Sequence, residues 1–320
     1  MLRIHLSADD LARIRFAPRP APLTELSVAL IMLTRPDGNV LFGRWRRNMR
    51  RSLPASTRPL WDLVSPVVGS PEFADAASDT VTEGLSIVRA APPDLIRTGI
   101  EMLHPSQASP TPRWIRGLYQ GHAESWQLLL RAQLDAYETI LQPNWLTVQD
   151  LHQTEFTRHA LATAEHGIGA ALAALLPSSR LHDGVWEIDM PRQRDIRLGG
   201  RGAILMPTFH WTGNPFVSDL PDRPLLLVYP AGSGLPLPPA TGNSDPLAGV
   251  LGQTRADLLR LLAHEHTTSD AARHLKVSNA TVSEHTTALR KAGLITTVRA
   301  GRAVLHHRTP LGTMLCTRSL

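Results

Sequence analysis

Over residues 230–247, eight of 18 positions are proline or glycine. Proline has no amide hydrogen to give a backbone ladder, and glycine loses the most freedom on ordering. Neither a regular helix nor a central strand runs through such a stretch. It reads as a linker, so the 320 residues must fold as two separate parts. The expected division is an N-terminal domain over 1–235, a linker over 236–249 and a C-terminal domain over 250–320. That agrees with a prior of ~100–200 residues per domain.

The two parts differ in charge. Residues 250–320 hold ten basic and four acidic side chains, a net of +6. The first 249 residues hold 23 basic and 24 acidic ones, so the whole excess of +5 lies in the tail. A small cationic module on a near-neutral body is what a polyanionic partner requires, although a solvated face on an ordinary domain would give the same count. The single cysteine, Cys316, rules out an intramolecular disulfide and a thiolate metal cluster built from one chain. No stretch reaches the ~18 uninterrupted apolar residues of a membrane span, and the N-terminus lacks the apolar core of a signal peptide. A soluble, cytoplasmic protein without membrane contact is expected.

Within the N-terminal part, Ser7 and Asp10 have the spacing of a helix cap over residues 7–14. Residues 23–33 are apolar without a resolvable period. Residues 114–141 carry Leu118, Trp126, Leu129, Leu130, Leu134 and Tyr137 at helical spacing, and 161–176 reads the same way up to Pro177. The pattern then changes. Residues 185–190 alternate with period two, and 194–198, 203–206 and 225–229 are short runs bounded by Gly and Pro, which are strand signals. The expected class is α+β: a mainly helical N-terminal body with a small antiparallel sheet, plus a C-terminal helical module.

That module can be read residue by residue. Thr254 and Asp257 have capping-box spacing before Leu258, Leu259, Leu261 and Leu262. Thr267–Asp270 supplies a second cap ahead of Ala271, Ala272 and Leu275. Ser278 caps a third helix, in which Val282, Thr286 and Leu289 share one side and Gly293 ends the run. Two short helices joined by a three- to four-residue turn form a helix-turn-helix. The third helix leaves small polar side chains at its N-terminal half and Arg290 and Lys291 at its end, chemistry suited to base edges and phosphates. Residues 296–307 are β-rich and break at Ala300-Gly301, so a hairpin follows, with Arg299 and Arg302 flanking its tip. A last short helix starts at Thr309-Pro310.

The run Val277-Ser278-Asn279-Ala280-Thr281-Val282-Ser283-Glu284-His285-Thr286-Thr287-Ala288-Leu289-Arg290-Lys291-Ala292-Gly293-Leu294-Ile295, followed by Arg299-Ala300-Gly301-Arg302, resembles the ArsR-type winged helix-turn-helix repressors of bacteria. The likeness covers residues 254–312. It implies a winged-helix fold and a homodimeric transcription factor, usually a repressor that a ligand releases from a double-stranded DNA operator. On that reading Ser278, Asn279, Thr281, Ser283, Thr287 and Arg290 face the major groove, with Glu284 beside them. Thr268, Lys291, Arg299 and Arg302 hold phosphate or enter the minor groove. His285 either donates to the DNA or packs against the second helix. Many members sense metals through a cysteine pair at the start of the second helix. Here Thr267–Ser269 stands in its place, so no metal and no cofactor is expected. Typical members are also short, whereas a long body precedes this module, which makes the body the expected sensor and part of the dimer contact. The body resembles the uncharacterised domain that precedes such modules in large actinobacterial regulators, through residues 201–209 and 226–231.

Other signals are weaker. Six histidines lie in the tail, but zinc needs three or four converging ligands, and exposed histidines explain them as well. Gly232-Ser233-Gly234 lacks the first glycine of a nucleophile elbow. The basic run Arg44–Arg51 suits either a solvated face or an anion. Trp114, Trp126, Trp145, Trp186 and Trp211 would either line an apolar pocket for a small-molecule effector or serve as core residues. The rival reading is an enzyme whose appended module serves localisation or protein contact. Its reacting groups would have to come from scattered residues such as His104, His122, Asp150 and His210.

Overall fold

The computed structural model describes residues 1–35, 39–66, 69–104, 111–231, 246–300 and 303–317. It divides into two compact units, Met1–Ala240 and Thr241–Leu320. The first unit runs β1 (Leu2–His5), α1 (Ala8–Arg13), β2 (Arg15–Phe16), α2 (Pro22–Thr34) and α3 (Asn39–Ser52), then two 3-10 segments (Ala55–Asp62 and Glu72–Ala74). Next come α4 (Val81–Arg89), α5 (Pro93–Leu103), α6 (Arg113–Tyr119), α7 (Ala123–Ile140) and α8 (Trp145–Ala173). Strands close the unit: β3 (Arg180–His182), β4 (Val185–Ile188), β5 (Arg194–Arg197), β6 (Ala203–Thr208), β7 (Phe216–Ser218) and β8 (Leu225–Pro230).

The class is α+β. Helix α2 is buried from Pro22 through Leu33, which explains the missing period: a helix covered on every side has no polar face to mark one. It is the axis of the larger core, which holds Leu26, Leu30, Phe42, Trp45, Leu118, Trp126 and Leu129. A second core, with Leu2, Ile4, Trp186, Ile188, Leu205, Leu227 and Tyr229, fills the space around the strands.

The expected antiparallel sheet is corrected. There are two four-stranded sheets, ordered β3-β4-β1-β5 and β2-β6-β8-β7, and both are mixed. Strand β1 is antiparallel to β4 but parallel to β5. Strands β2, β6 and β8 are mutually parallel, and β7 returns antiparallel. Strands β1 and β2, of four and two residues, bring in part of the parallel pairing, and their partners lie some 190 residues further on. The rest is β6 beside β8, whose connection runs through β7.

Two helical expectations are also redrawn. Residues 114–141 form α6 and α7, parted at Gly121, whose φ of +77° suits glycine. The helix expected at 161–176 is the end of α8, which starts at Trp145 and kinks at Gly167. Ser7 does cap α1 as its spacing predicts: its hydroxyl accepts from the Asp10 amide, and Asp10 reaches back to the Ser7 amide at 3.0 Å. Asp10 Oδ1 also accepts from the amides of Gly200 and Gly202, at 2.8 and 3.1 Å, which locks α1 to the loop before β6.

The second unit runs α9 (Pro246–Leu251), α10 (Gln253–Leu261), β9 (His266–Thr267), α11 (Thr268–Leu275), α12 (Asn279–Lys291), β10 (Ile295–Ala300), β11 (Ala303–Arg308) and α13 (Pro310–Thr317). Its own core holds Ala256, Leu258, Leu259, Leu262, Ala271, Val282, Leu289, Leu294 and Ile295. The strands form one sheet, ordered β10-β11-β9. Two expected caps are present. The Thr267 hydroxyl accepts from the Asp270 amide at 3.1 Å, and the Ser278 hydroxyl accepts from the Thr281 amide at 3.0 Å. The third is not: α10 begins one residue before Thr254, behind Gly252, and has no side-chain cap. Lys276, left-handed with φ +56°, stops α11, and Gly293, with φ +72°, follows α12. No helix among the described residues is long and apolar enough to cross a membrane.

Candidate nucleic-acid interface

Helix α12 has two chemically distinct sides. Val282, Thr286 and Leu289 are buried in the core of the second unit. Asn279, Ser283, Glu284, Arg290 and Lys291 are exposed, and Thr281 and Thr287 are half-buried. Burial of one stripe therefore fixes which way the polar side chains point. The cap at Ser278 also frames the helix start, where unpaired amides and the positive end of the dipole favour an anion.

Several of the polar groups already have partners. The Ser278 and Thr281 hydroxyls lie 2.8 Å apart and satisfy each other. The Thr287 hydroxyl donates to the Ser283 carbonyl at 2.8 Å. These side chains offer a groove small, closely approaching surfaces more than free donors. His285 turns inward: its Nδ1 accepts from Arg255 Nε at 3.3 Å, which ties α12 to α10. Of the two roles the sequence left open for His285, the geometry matches packing, but against the first helix of the module and not the second.

Thr268, expected at phosphate, is the first residue of α11, and its hydroxyl lies 3.1 Å from His306 Nε2. His306 Nδ1 lies 3.0 Å from the Thr297 hydroxyl on β10. The imidazole is 5% exposed. Burial, with the Arg290 charge nearby, pushes its pKa below the ordinary histidine value. A neutral ring with both nitrogens engaged thus pins the hairpin to the start of α11. Sequence reasoning weighed His306 only as a metal ligand or an exposed histidine, whereas it is buried. The alternation along β11 was the signal that could have found it, since His306 faces inward between the partly exposed Leu305 and His307. In the hairpin, Ala300 pairs with Ala303. Arg299 is exposed near the tip, while Arg302 lies outside the described residues.

The five tryptophans expected to line a pocket, Trp114, Trp126, Trp145, Trp186 and Trp211, do not share one core. Trp126 and Trp211 belong to the larger core and Trp186 to the second, while Trp114 and Trp145 are partly buried. Three indole N–H groups are already used: Trp114 donates to Asp62 at 2.9 Å, Trp186 to Ser179 at 2.6 Å and Trp211 to the Asn214 carbonyl at 2.7 Å.

Buried charge in the body gathers near the carboxyl ends of β2, β6 and β8. Glu25 Oε1 accepts from His210 Nδ1 at 2.6 Å and from the amides of Phe209 and His210, both at 3.0 Å. Burial opposes ionisation of Glu25, but these donors outweigh it and hold the carboxyl below its usual range. Glu155 on α8 is likewise opposed by burial, yet hydrogen bonds from His159 and Arg158 bring it down to about 2. Both carboxylates are thus already matched by donors. Of the residues considered for catalysis, His210 is spent on Glu25 and His104 on the Asp62 carbonyl at 2.9 Å, while His122 and Asp150 are exposed. Among the described residues no three His, Cys, Asp or Glu side chains group in a way that could hold a metal ion.

Residues 252–297 match the family model described as bacterial regulatory protein, arsR family. Two solved structures are similar over part of the chain. A mutant of Lactococcus lactis ZitR in apo form is 31% identical over 22% of this chain and 56% of that one, with a TM-score of 0.21. A possible transcriptional regulator for arsenical resistance is 31% identical over 23% of this chain and 78% of its own, also with a TM-score of 0.21. This chain therefore spans little more than half of the first of these proteins. No curated protein sequence matches the chain. Residues 252–297 thus carry a helix-turn-helix of the bacterial ArsR family, a DNA-binding regulatory module.

Proposed function

We propose that the chain is a sequence-specific, DNA-binding transcriptional regulator, acting as a homodimeric repressor that responds to a small-molecule effector rather than to a thiolate-bound metal. The observation that carries this reading is the two-sided α12. Its buried Val282, Thr286 and Leu289 stripe turns Asn279, Ser283, Arg290 and Lys291 outward on a helix that follows a tight turn. Asn279 and Arg290 are the base-reading candidates, since amide and guanidinium groups pair bidentately with adenine and guanine edges. Lys291, Thr268, Arg299 and Arg302 would hold phosphate or reach the minor groove. Two copies would set their α12 helices in successive major grooves, ~10 bp apart on a near-palindromic site. Residues 1–235 would sense and dimerise, 236–249 would link, and 250–320 would bind DNA.

The test is a gel shift of the full chain on the DNA upstream of its own coding sequence. Specific retention that survives excess unrelated DNA is expected. Arg290→Ala should weaken it by about 1–3 kcal/mol and relax the preference at one base position. Binding that competitor DNA abolishes entirely would contradict the reading.

A further inference from the structure

The body holds a cleft of about 540 Å³ between the end of α2, the last turn of α3 and the 3-10 segment Ala55–Asp62. Its lining includes Leu33, Arg50, Leu53, Thr57, Arg58 and Trp61. The size falls inside the range of ~300–1,000 Å³ typical of small-molecule sites. The lining contains two guanidinium groups and no carboxylate. The acids on or bonded to the 3-10 segment are engaged elsewhere. Asp62 Oδ2 accepts from the Trp114 indole at 2.9 Å, and Asp135 accepts from Ser56 and from Arg131.

The basic run of α3 thus divides into structural and unspent charge. Arg46 donates to the Arg35 carbonyl and Arg50 to the Leu33 carbonyl, so both close the C-terminal end of α2. One such bond leaves Arg50 four further N–H donors. Arg58 is exposed and makes no hydrogen bond, ion pair or ring contact among the described residues. Trp61 is half-buried, packs against the larger core, and its indole N–H has no partner among the described residues. The lining therefore combines a flat apolar ring with forked guanidinium donors, the pairing that suits a carboxylate on a planar apolar body.

We propose that this cleft binds a small organic anion with a flat apolar body, its carboxylate held by Arg58 and Arg50 and its ring against Trp61. This names the effector class for the sensor role proposed above and rests on that role only for its regulatory meaning.

The test is calorimetric titration of the full chain with 2-naphthoate. The neutral isostere 2-naphthalenemethanol and inorganic phosphate serve as separate titrants. One saturable site per chain is expected for naphthoate, with the alcohol and phosphate each binding ~10-fold or more weakly. Arg58→Gln, at an exposed side chain without partners, should fold normally and lose ~10-fold or more of the naphthoate affinity. Arg116→Gln, exposed and outside the lining, should lose none. No saturable binding at millimolar naphthoate would overturn the proposal. So would equal binding of phosphate, or an unchanged affinity in Arg58→Gln. Binding that leaves DNA affinity unchanged would keep the site and remove the sensor reading instead.

Discussion

His306 shows how one buried side chain couples the hairpin to the start of α11. It joins Thr268 on α11 to Thr297 on β10, faces the Arg290 charge from α12, and sits opposite His266 on β9, which itself meets His274 edge-on with ring centroids 5.2 Å apart. Its pKa is lowered in the fold from a reference of 6.5. The stability it contributes is therefore fully present above that reference and is lost as pH falls through the lowered value. From pH 7.5 to 5.5, hydrogen exchange over residues 295–308 should run in excess of what the falling intrinsic rate alone gives, because protection is lost. His306→Gln, which keeps polar atoms but does not titrate, should remove that excess. An excess that persists in the variant would assign it to another group. In the body, Asp75 has the opposite sign. Burial lifts its carboxyl to about 6 from 3.8 despite the 2.7 Å hydrogen bond from Thr24. A raised value means stability present below 3.8 and lost as pH climbs through about 6. Asp75→Asn, which keeps an acceptor for Thr24, should raise the melting temperature at pH 7.5 and change it little near pH 4. A variant that melts lower at pH 7.5 would refute this.

Helices α11, α12 and α13 of the second unit were legible because each carries its own punctuation. Thr267 and Ser278 cap, Lys276 and Gly293 stop, and Pro310 starts the last helix. In the first unit the signals were diluted or long-range. Helix α2 has no period because it has no exposed face, and β1 and β2 make sense only beside strands from the far end of the body. The exposed side of α12 could be read from the spacing of Val282 and Leu289. The inward turn of His285 could not, because it depends on Arg255 of another helix. Packing between elements gives a sharper test than caps do. Gly312 on α13 lies so close to β10 that a Cβ there would sit 2.1 Å from the Leu294 carbonyl oxygen. Gly312→Ala should cost about 1–3 kcal/mol through forced displacement of α13, against about 1 kcal/mol for Ser278→Ala at the α12 cap. Denaturant titration of the two variants should rank them in that order. A Gly312→Ala midpoint equal to wild type would show that α13 shifts without cost.

At the scale of the whole chain, the charge ledger separates two ways in which a large body could serve a small module. Residues 1–249 carry a net charge of −1 and residues 250–320 a net of +6, so the body adds little attraction for phosphate and must act by geometry. If it holds two copies together, a two-half-site operator engages two cationic modules at once. A fragment of residues 250–320, which has its own core, engages one at a time. Each phosphate neutralised releases counterion, contributing ~0.9 to the slope of log affinity against log salt. The full chain should therefore show about twice the salt slope of the fragment on the same DNA, together with tighter binding from the tethering of the second module. Fluorescence anisotropy at several salt concentrations measures both quantities. Equal slopes with equal affinities would mean that the body does not pair the modules. Equal slopes with a tighter full chain would instead mean that the body touches DNA through uncharged contacts.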